Sequence, residues 1–183
     1  MPNVKSKIKL IKGDITTFEG DAIVNAAKSE LTGGGGVDGS IHQAGGPEIL
    51  SDCKVIVREC GPLSTGGAVF TTGGNLKTKH VIHAVGPKYW EHKPERANEL
   101  LASCYRRSME IAETQGFATI AFPCISTGVY KFPKQKAAEI AIATVSEFLK
   151  KAKRVKEVTF IVFSEGDLEI YRKLLRAEFS KEA

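Results

Sequence analysis

Short apolar runs alternate with helical patterns along almost the whole chain. Ile8-Lys9-Leu10-Ile11, Ala22-Ile23-Val24-Asn25, Gly67-Ala68-Val69-Phe70-Thr71 and His80-Val81-Ile82-His83-Ala84-Val85 read as strands. So do Ala118-Thr119-Ile120-Ala121-Phe122 and Val158-Thr159-Phe160-Ile161-Val162-Phe163. Helical spacing is present around 37–45 and 47–60, and over 95–114 through Leu101, Cys104, Tyr105, Ser108, Met109 and Ala112. It returns after Pro133 through Ala137, Ile140, Ala141, Val145 and Phe148, and again at Leu168, Tyr171, Leu174 and Leu175. Pro133 is expected at the first position of its helix, where its missing N–H costs nothing. Such alternation predicts an α/β sheet covered on both faces. Ligands of these folds bind outside the carboxyl ends of the strands. The segments that matter are therefore 25–37, 86–95, 123–132 and 163–167.

The chain has 183 residues, 42% hydrophobic and 26% charged, which suits one domain over 1–183 and excludes a disordered or fibrous chain. No apolar run approaches the ~18–20 residues of a membrane span. The N-terminus, Met1-Pro2-Asn3-Val4-Lys5-Ser6-Lys7, has no apolar h-region. A cytoplasmic monomer with no membrane partner is expected. The net charge of +5 is spread evenly: residues 1–90 hold 10 Lys/Arg and 8 Asp/Glu, and residues 91–183 hold 16 and 13. The densest basic cluster is Lys150, Lys151, Lys153, Arg154 and Lys156. It follows a helical pattern, where cations are favoured by the dipole, so nucleic acid is not an expected partner. Cys53, Cys60, Cys104 and Cys124 form no C-x-x-C pair and have no histidine at zinc-ligand spacing. They are expected to be reduced, small apolar core residues.

Four places carry potential chemistry. Gly33-Gly34-Gly35-Gly36-Val37-Asp38-Gly39 lies between a strand and a helix. Four glycines in a row are costly unless the backbone must approach something closely, and amides at a helix N-terminus bind phosphate. The tract fits a phosphate cradle or a structural glycine turn. It lacks the Gly-Lys-Ser/Thr of a Walker A loop. It also fits a dinucleotide fingerprint poorly, because Lys28–Thr32 separate it from its strand and the acidic residue twenty positions on, Glu59, lies in a helical pattern. Ile125-Ser126-Thr127-Gly128-Val129-Tyr130 follows a buried strand and offers amides and two hydroxyls, as a second clamp or an ordinary turn. Asp38 and His42 stand at i and i+4 on one helix face, a catalytic pair or a surface pair. With no third ligand at an obvious spacing, a metal is the less favoured reading. Gly13-Asp14-Ile15 presents a carboxylate beside a backbone amide, suited to an adenine amino edge or to an Asx turn. His80 and His83 lie in a strand pattern and read as core or supporting residues.

Together these residues resemble a family. Gly13-Asp14-Ile15-Thr16, Ile23-Val24-Asn25-Ala26-Ala27, Gly33–Gly36 with Val37-Asp38-Gly39-Ser40-Ile41-His42, Val81-Ile82-His83-Ala84-Val85-Gly86-Pro87 and Ser126-Thr127-Gly128-Val129-Tyr130 look like a macro domain of the MacroD type. The resemblance runs from about Lys7 to about Leu175. It implies a three-layer α/β/α fold with a mixed central sheet and a cleft for ADP-ribose, free or attached to a protein. It implies that Asp14 and Ile15 meet the adenine and that Phe163 stacks on it. It places Gly35, Gly36 and Val37 on one side of the diphosphate and Ser126, Thr127, Gly128 and Val129 on the other, with Tyr130 by the distal ribose. Asn25 belongs to the family's binding motif. Asp38, supported by His42, would sit at the scissile bond. MacroD-type enzymes hydrolyse mono-ADP-ribose from acidic side chains and deacylate O-acetyl-ADP-ribose, with neither metal nor other cofactor.

The chain departs from the family at one position. The family usually reads Asn-Ala-Ala-Asn, and this sequence reads Asn25-Ala26-Ala27-Lys28. The replaced asparagine binds the distal ribose and is counted among the catalytic residues. Lys28 donates hydrogen bonds but cannot accept them, and an ion pair with Asp38 would reduce the basicity of that carboxylate. The expectation divides between a hydrolase of altered rate and an ADP-ribose reader without turnover.

Overall fold

The computed structural model describes residues 3–180, so Met1 and Pro2 of the N-terminal reading and residues 181–183 lie outside the described residues. The strands are β1 (Ile8–Lys12), β2 (Gly20–Ala26), β3 (Ala68–Thr72), β4 (Thr78–Ala84), β5 (Thr119–Phe122) and β6 (Glu157–Val162). The α-helices are α1 (Gly36–Gly45), α2 (Pro47–Cys60), α3 (Pro94–Gln115), α4 (Lys134–Lys151) and α5 (Glu165–Ser180). One six-stranded sheet runs in the order β1-β6-β5-β2-β4-β3. Every pairing is parallel except β3 with β4, so the expected mixed sheet is present.

Period-two alternation sorts the strand side chains onto two faces. Val24, Ile82, Phe122 and Phe160 pack against Leu101, Tyr105 and Met109 of α3, Val145 and Leu149 of α4, and Tyr171 of α5. Their neighbours Ile23, Val81, Ala121 and Ile161 point the other way and pack with Ile41 of α1 and with Ile49 and Cys53 of α2. The three layers are thus α1 and α2, then the sheet, then α3, α4 and α5. Asn25 shares the face of Ile23, and His83 that of Val81. Both point toward α1 and α2 at the carboxyl ends of the parallel strands.

Three sequence expectations need correction. Pro133 is the residue before the helix, with ψ at 124°, and α4 begins at Lys134; its ring fixes φ but does not force the helical ψ. Cys60 is exposed and Cys124 is half-buried, so only Cys53 and Cys104 serve as core residues. Cys60 is the last residue of α2 and follows the exposed Arg58 and Glu59. The basic cluster divides in two. Lys150 and Lys151 close α4, whereas the backbone N–H groups of Lys153, Arg154 and Val155 all donate to the Glu113 carboxylate. Among the described residues no helix is long and apolar enough to cross a membrane.

Candidate functional site

The parallel strands share one orientation, so the turns that follow β1, β2, β4, β5 and β6 gather at one end of the sheet. Asp14 lies in the turn after β1. Its Oδ1 accepts from the Thr16 N–H at 2.9 Å and from the Thr16 hydroxyl at 2.7 Å, capping a 3-10 turn at Ile15–Thr17. The Asx-type geometry is therefore real, and it holds the exposed carboxylate in place with Oδ2 outside these bonds. Ile15 is buried with the α1/α2 core.

The glycine tract ends in α1. Gly35 is the N-cap and supplies no side-chain cap, and the first helical bond runs from Gly39 N–H to Gly35 C=O. The amides of Gly36, Val37 and Asp38 are therefore left for another acceptor. Gly36 has φ at +58°, which disfavours a side chain, and a Cβ at Gly35 or Gly36 would meet open space. The tract forms an open, amide-lined turn at a helix N-terminus, the arrangement that suits an anion.

Across from it, the loop after β5 closes with bonds from Lys131 N–H to Gly128 C=O and from Phe132 N–H to Ser126 C=O. Among the described residues the amides of residues 127–130 make no backbone hydrogen bond. Ser126 has φ at +66°, and its hydroxyl is buried without a hydrogen-bond partner among the described residues. Gly86 is required beneath it, because a Cβ there would collide with Ser126 Oγ. A strained backbone and an orphaned hydroxyl in one strand-end loop are costs that a ligand contact would offset. Val129, in this loop, is 80% exposed, and Phe163, directly after β6, is 86% exposed. Tyr130 meets Trp90 edge to face at 6.4 Å, and Tyr89 N–H donates to Tyr130 C=O. Trp90 was not singled out by the sequence reading, although its loop was.

Beneath the glycine tract lies a buried polar cluster. Asn25 Nδ2 donates to Asp38 Oδ1 at 2.8 Å, and His42 Nε2 lies 3.3 Å from the same oxygen. Asn25 Nδ2 also lies 3.1 Å from His83 Nδ1, while His83 Nε2 lies 2.9 Å from Thr71 Oγ1. Asn25 and His83 are register partners on β2 and β4. Burial, helped by nearby His42, pushes the His83 pKa down to about 3, so this imidazole is neutral at ordinary pH. The i,i+4 spacing pairs Asp38 with His42, as observed, but the sequence does not reveal the Asn25–Asp38 bond or Thr71, which comes from β3 and joins through the antiparallel pairing.

His42, Cys53 and His83 also bring their donor atoms within 4.8 Å of one another, a grouping that local spacing could not reveal because three elements supply it. A metal would need a thiolate and free ring lone pairs. Here burial, with Asp38 and Asp52 adding to it, pushes the Cys53 thiol up to about 11. His83 has both nitrogens engaged, and His42 Nε2 faces Asp38. In this arrangement Cys53 Sγ lies 3.8 Å from His83 Nε2 and extends the buried polar cluster.

Lys28 folds into this region. A Cβ at Gly34 would stand 3.1 Å from Lys28 Nζ and 3.3 Å from Asp38 Oδ2. The ammonium thus lies over the glycine tract on the side of Asp38 Oδ2. The ion pair envisaged between them is not made among the described residues, since Asp38 pairs with His42.

A family model described as Macro domain matches residues 24–141. An O-acetyl-ADP-ribose deacetylase from Escherichia fergusonii is 46% identical over 172 residues, 94% of this chain and 97% of its own length. An ADP-ribose glycohydrolase from Xenopus laevis is 49% identical over 177 residues, 96% of this chain but 41% of the longer relative. A solved Oceanobacillus iheyensis macrodomain, a glycine-to-valine mutant with ADPR, superposes with a TM-score of 0.90 at 40% identity, covering 94% of each chain.

Proposed function

The chain belongs to the macro domain family, and on that premise we propose that it binds ADP-ribose at the strand ends and hydrolyses ADP-ribosyl esters. The substrates are mono-ADP-ribose linked to acidic side chains, O-acetyl-ADP-ribose, or both. The observation that carries this reading is the buried Asp38 carboxylate, held by Asn25 and His42 beside the amide-lined glycine tract. In this reading the amides of Gly35, Gly36 and Val37 and those of Thr127, Gly128 and Val129 take the diphosphate from opposite sides, with Ser126 Oγ. Asp14 Oδ2 and the Ile15 amide take the adenine edge, and Phe163 covers the ring. Tyr130 borders the distal ribose.

The chemistry follows from the placement of Asp38. Its Oδ1 is committed to Asn25 and His42, and its Oδ2 faces Gly34 and the Lys28 ammonium. Oδ2 is the oxygen able to orient a water beside the ester at the distal ribose. That role is positioning and charge stabilisation more than strong base catalysis. It uses no resident cofactor.

One observation favours a second reading. Lys28 stands where the family carries an asparagine and leans toward Asp38 Oδ2. Its donor-only head would hold phosphate charge well and ribose hydroxyls poorly. The chain would then read ADP-ribose without turning it over. Incubation with a glutamate-linked mono-ADP-ribosylated protein separates the two. Release of free ADP-ribose supports the hydrolase; stable capture without release supports the reader. No ADP-ribose binding at millimolar ligand removes both.

A further inference from the structure

The polar chain behind Asp38 has a definite direction. Asn25 Nδ2, which donates to Asp38 Oδ1, also faces His83 Nδ1 at 3.1 Å, so that ring nitrogen accepts and Thr71 Oγ1, with Thr72 C=O at 2.9 Å as the acceptor for its own hydrogen, accepts from the other ring nitrogen. The hydrogen on that 2.9 Å contact therefore belongs to His83 Nε2. A neutral ring protonated on Nε2 has a lone pair on Nδ1, and that lone pair faces Asn25 Nδ2 at 3.1 Å. The Asn25 amide is fixed in turn: its two N–H bonds go to His83 Nδ1 and Asp38 Oδ1. Turned over, it would present its oxygen to a carboxylate oxygen. All four residues are buried, with Asn25 and His83 fully so, so water cannot substitute for a lost partner.

We propose that Thr71 and His83 form a tautomer lock that orients the Asn25 amide, so that Asp38 is supplied on Oδ1 and keeps Oδ2 as its reacting oxygen. His83 and Thr71 are positioning residues; neither reaches the glycine tract. The lock itself stands on the hydrogen bonds, and only its effect on turnover rests on the proposed hydrolysis. The registration of Asn25 with His83 across β2 and β4 makes the device a property of the sheet. A pKa as low as about 3 keeps His83 from titrating at working pH, which would otherwise place a second donor against Asn25.

The test combines nitrogen NMR of the imidazoles with kinetics on the intact chain. In wild type His83 is expected as the neutral Nε2–H tautomer. Thr71→Val keeps the shape but removes the acceptor, so the Nδ1–H tautomer becomes populated. Turnover should fall by at least about tenfold, roughly 1.4 kcal/mol of barrier, with ADP-ribose affinity and KM little changed. His83→Leu should lose at least as much. His83→Asn, which can place an amide oxygen where Nδ1 stood, should stay within about threefold of wild type. Thr71→Val serves as the informative variant if His83→Leu fails to fold. A wild-type ring protonated on Nδ1, or full turnover in both Thr71→Val and His83→Leu, overturns the proposal. If wild type itself turns over neither ester, the hydrolase reading fails separately, and the NMR arm alone decides the lock.

Discussion

Asn25 on β2 and Asp38 on α1, thirteen residues apart, meet through a buried 2.8 Å hydrogen bond from Nδ2 to Oδ1. That bond ties the first helix to the centre of the sheet and fixes which carboxylate oxygen remains free. A hydrogen bond to a charged group contributes about 1.5–3 kcal/mol. Asn25→Ala should destabilise the fold by about that amount, read as a shift of the urea midpoint at unchanged slope. It should also lower turnover more than ADP-ribose affinity. A variant as stable as wild type would mean that the bond contributes nothing.

His83 makes stability depend on pH with a definite sign. Its folded pKa is about 3, against an ordinary value of 6.5, mainly through burial. Between those values the unfolded chain takes up a proton that the folded chain does not, so this contribution is complete above pH 6.5 and is lost as pH falls toward 3. The total is on the order of a few kcal/mol. Unfolding measured at pH 7, 5.5 and 4.5 should show His83→Asn losing less stability across the range than wild type. Parallel losses would place the proton uptake elsewhere.

At Gly36 the backbone has φ at +58° and a Cβ would point into open space beside the helix amides. Gly36→Val should cost about 1–2 kcal/mol of stability from the left-handed backbone. It should also weaken ADP-ribose by at least about tenfold, roughly 1.4 kcal/mol. Gly35, an N-cap with φ at −94°, should accept alanine with little change in stability. Calorimetry and urea unfolding on both variants check this. Normal binding by Gly36→Val would make the tract structural.

The strands, the helices and the chemistry-bearing loops were legible because their signals are local. Short apolar runs marked β2 and β4, and the i,i+4 spacing paired Asp38 with His42. The resemblance supplied the mixed sheet. What stayed hidden was long-range. Thr71 reaches His83 only through the antiparallel β3–β4 pairing, and Cys53 arrives from α2. The close approach of Ser126 Oγ to Gly86 joins residues forty positions apart in sequence. The direction of the Lys28 stem is a rotamer choice over Gly34 that no pattern encodes.

Asp14 separates the two ends of the cleft. Its Oδ1 holds the Thr16 turn, leaving Oδ2 for an amino edge. Asp14→Ala should weaken ADP-ribose by about 1.5–3 kcal/mol and leave ribose 5-phosphate almost unaffected. Titration of both ligands tests this, and equal losses would move Asp14 away from the adenine.

Asp38 is expected to carry ester hydrolysis, and Lys28 beside it to restrain the rate. The most direct measurement is single-turnover release of ADP-ribose from a glutamate-linked substrate by wild type, Lys28→Asn, Asp38→Ala and the double variant. An asparagine amide both donates and accepts, and small misplacements of a reacting ring cost about a hundredfold. Lys28→Asn should therefore release ADP-ribose at least about tenfold faster than wild type, roughly 1.4 kcal/mol of barrier, with little gain in affinity. Asp38→Ala should remove most turnover in either background. Equal rates for wild type and Asp38→Ala, or no release by any of the four, would contradict the claim.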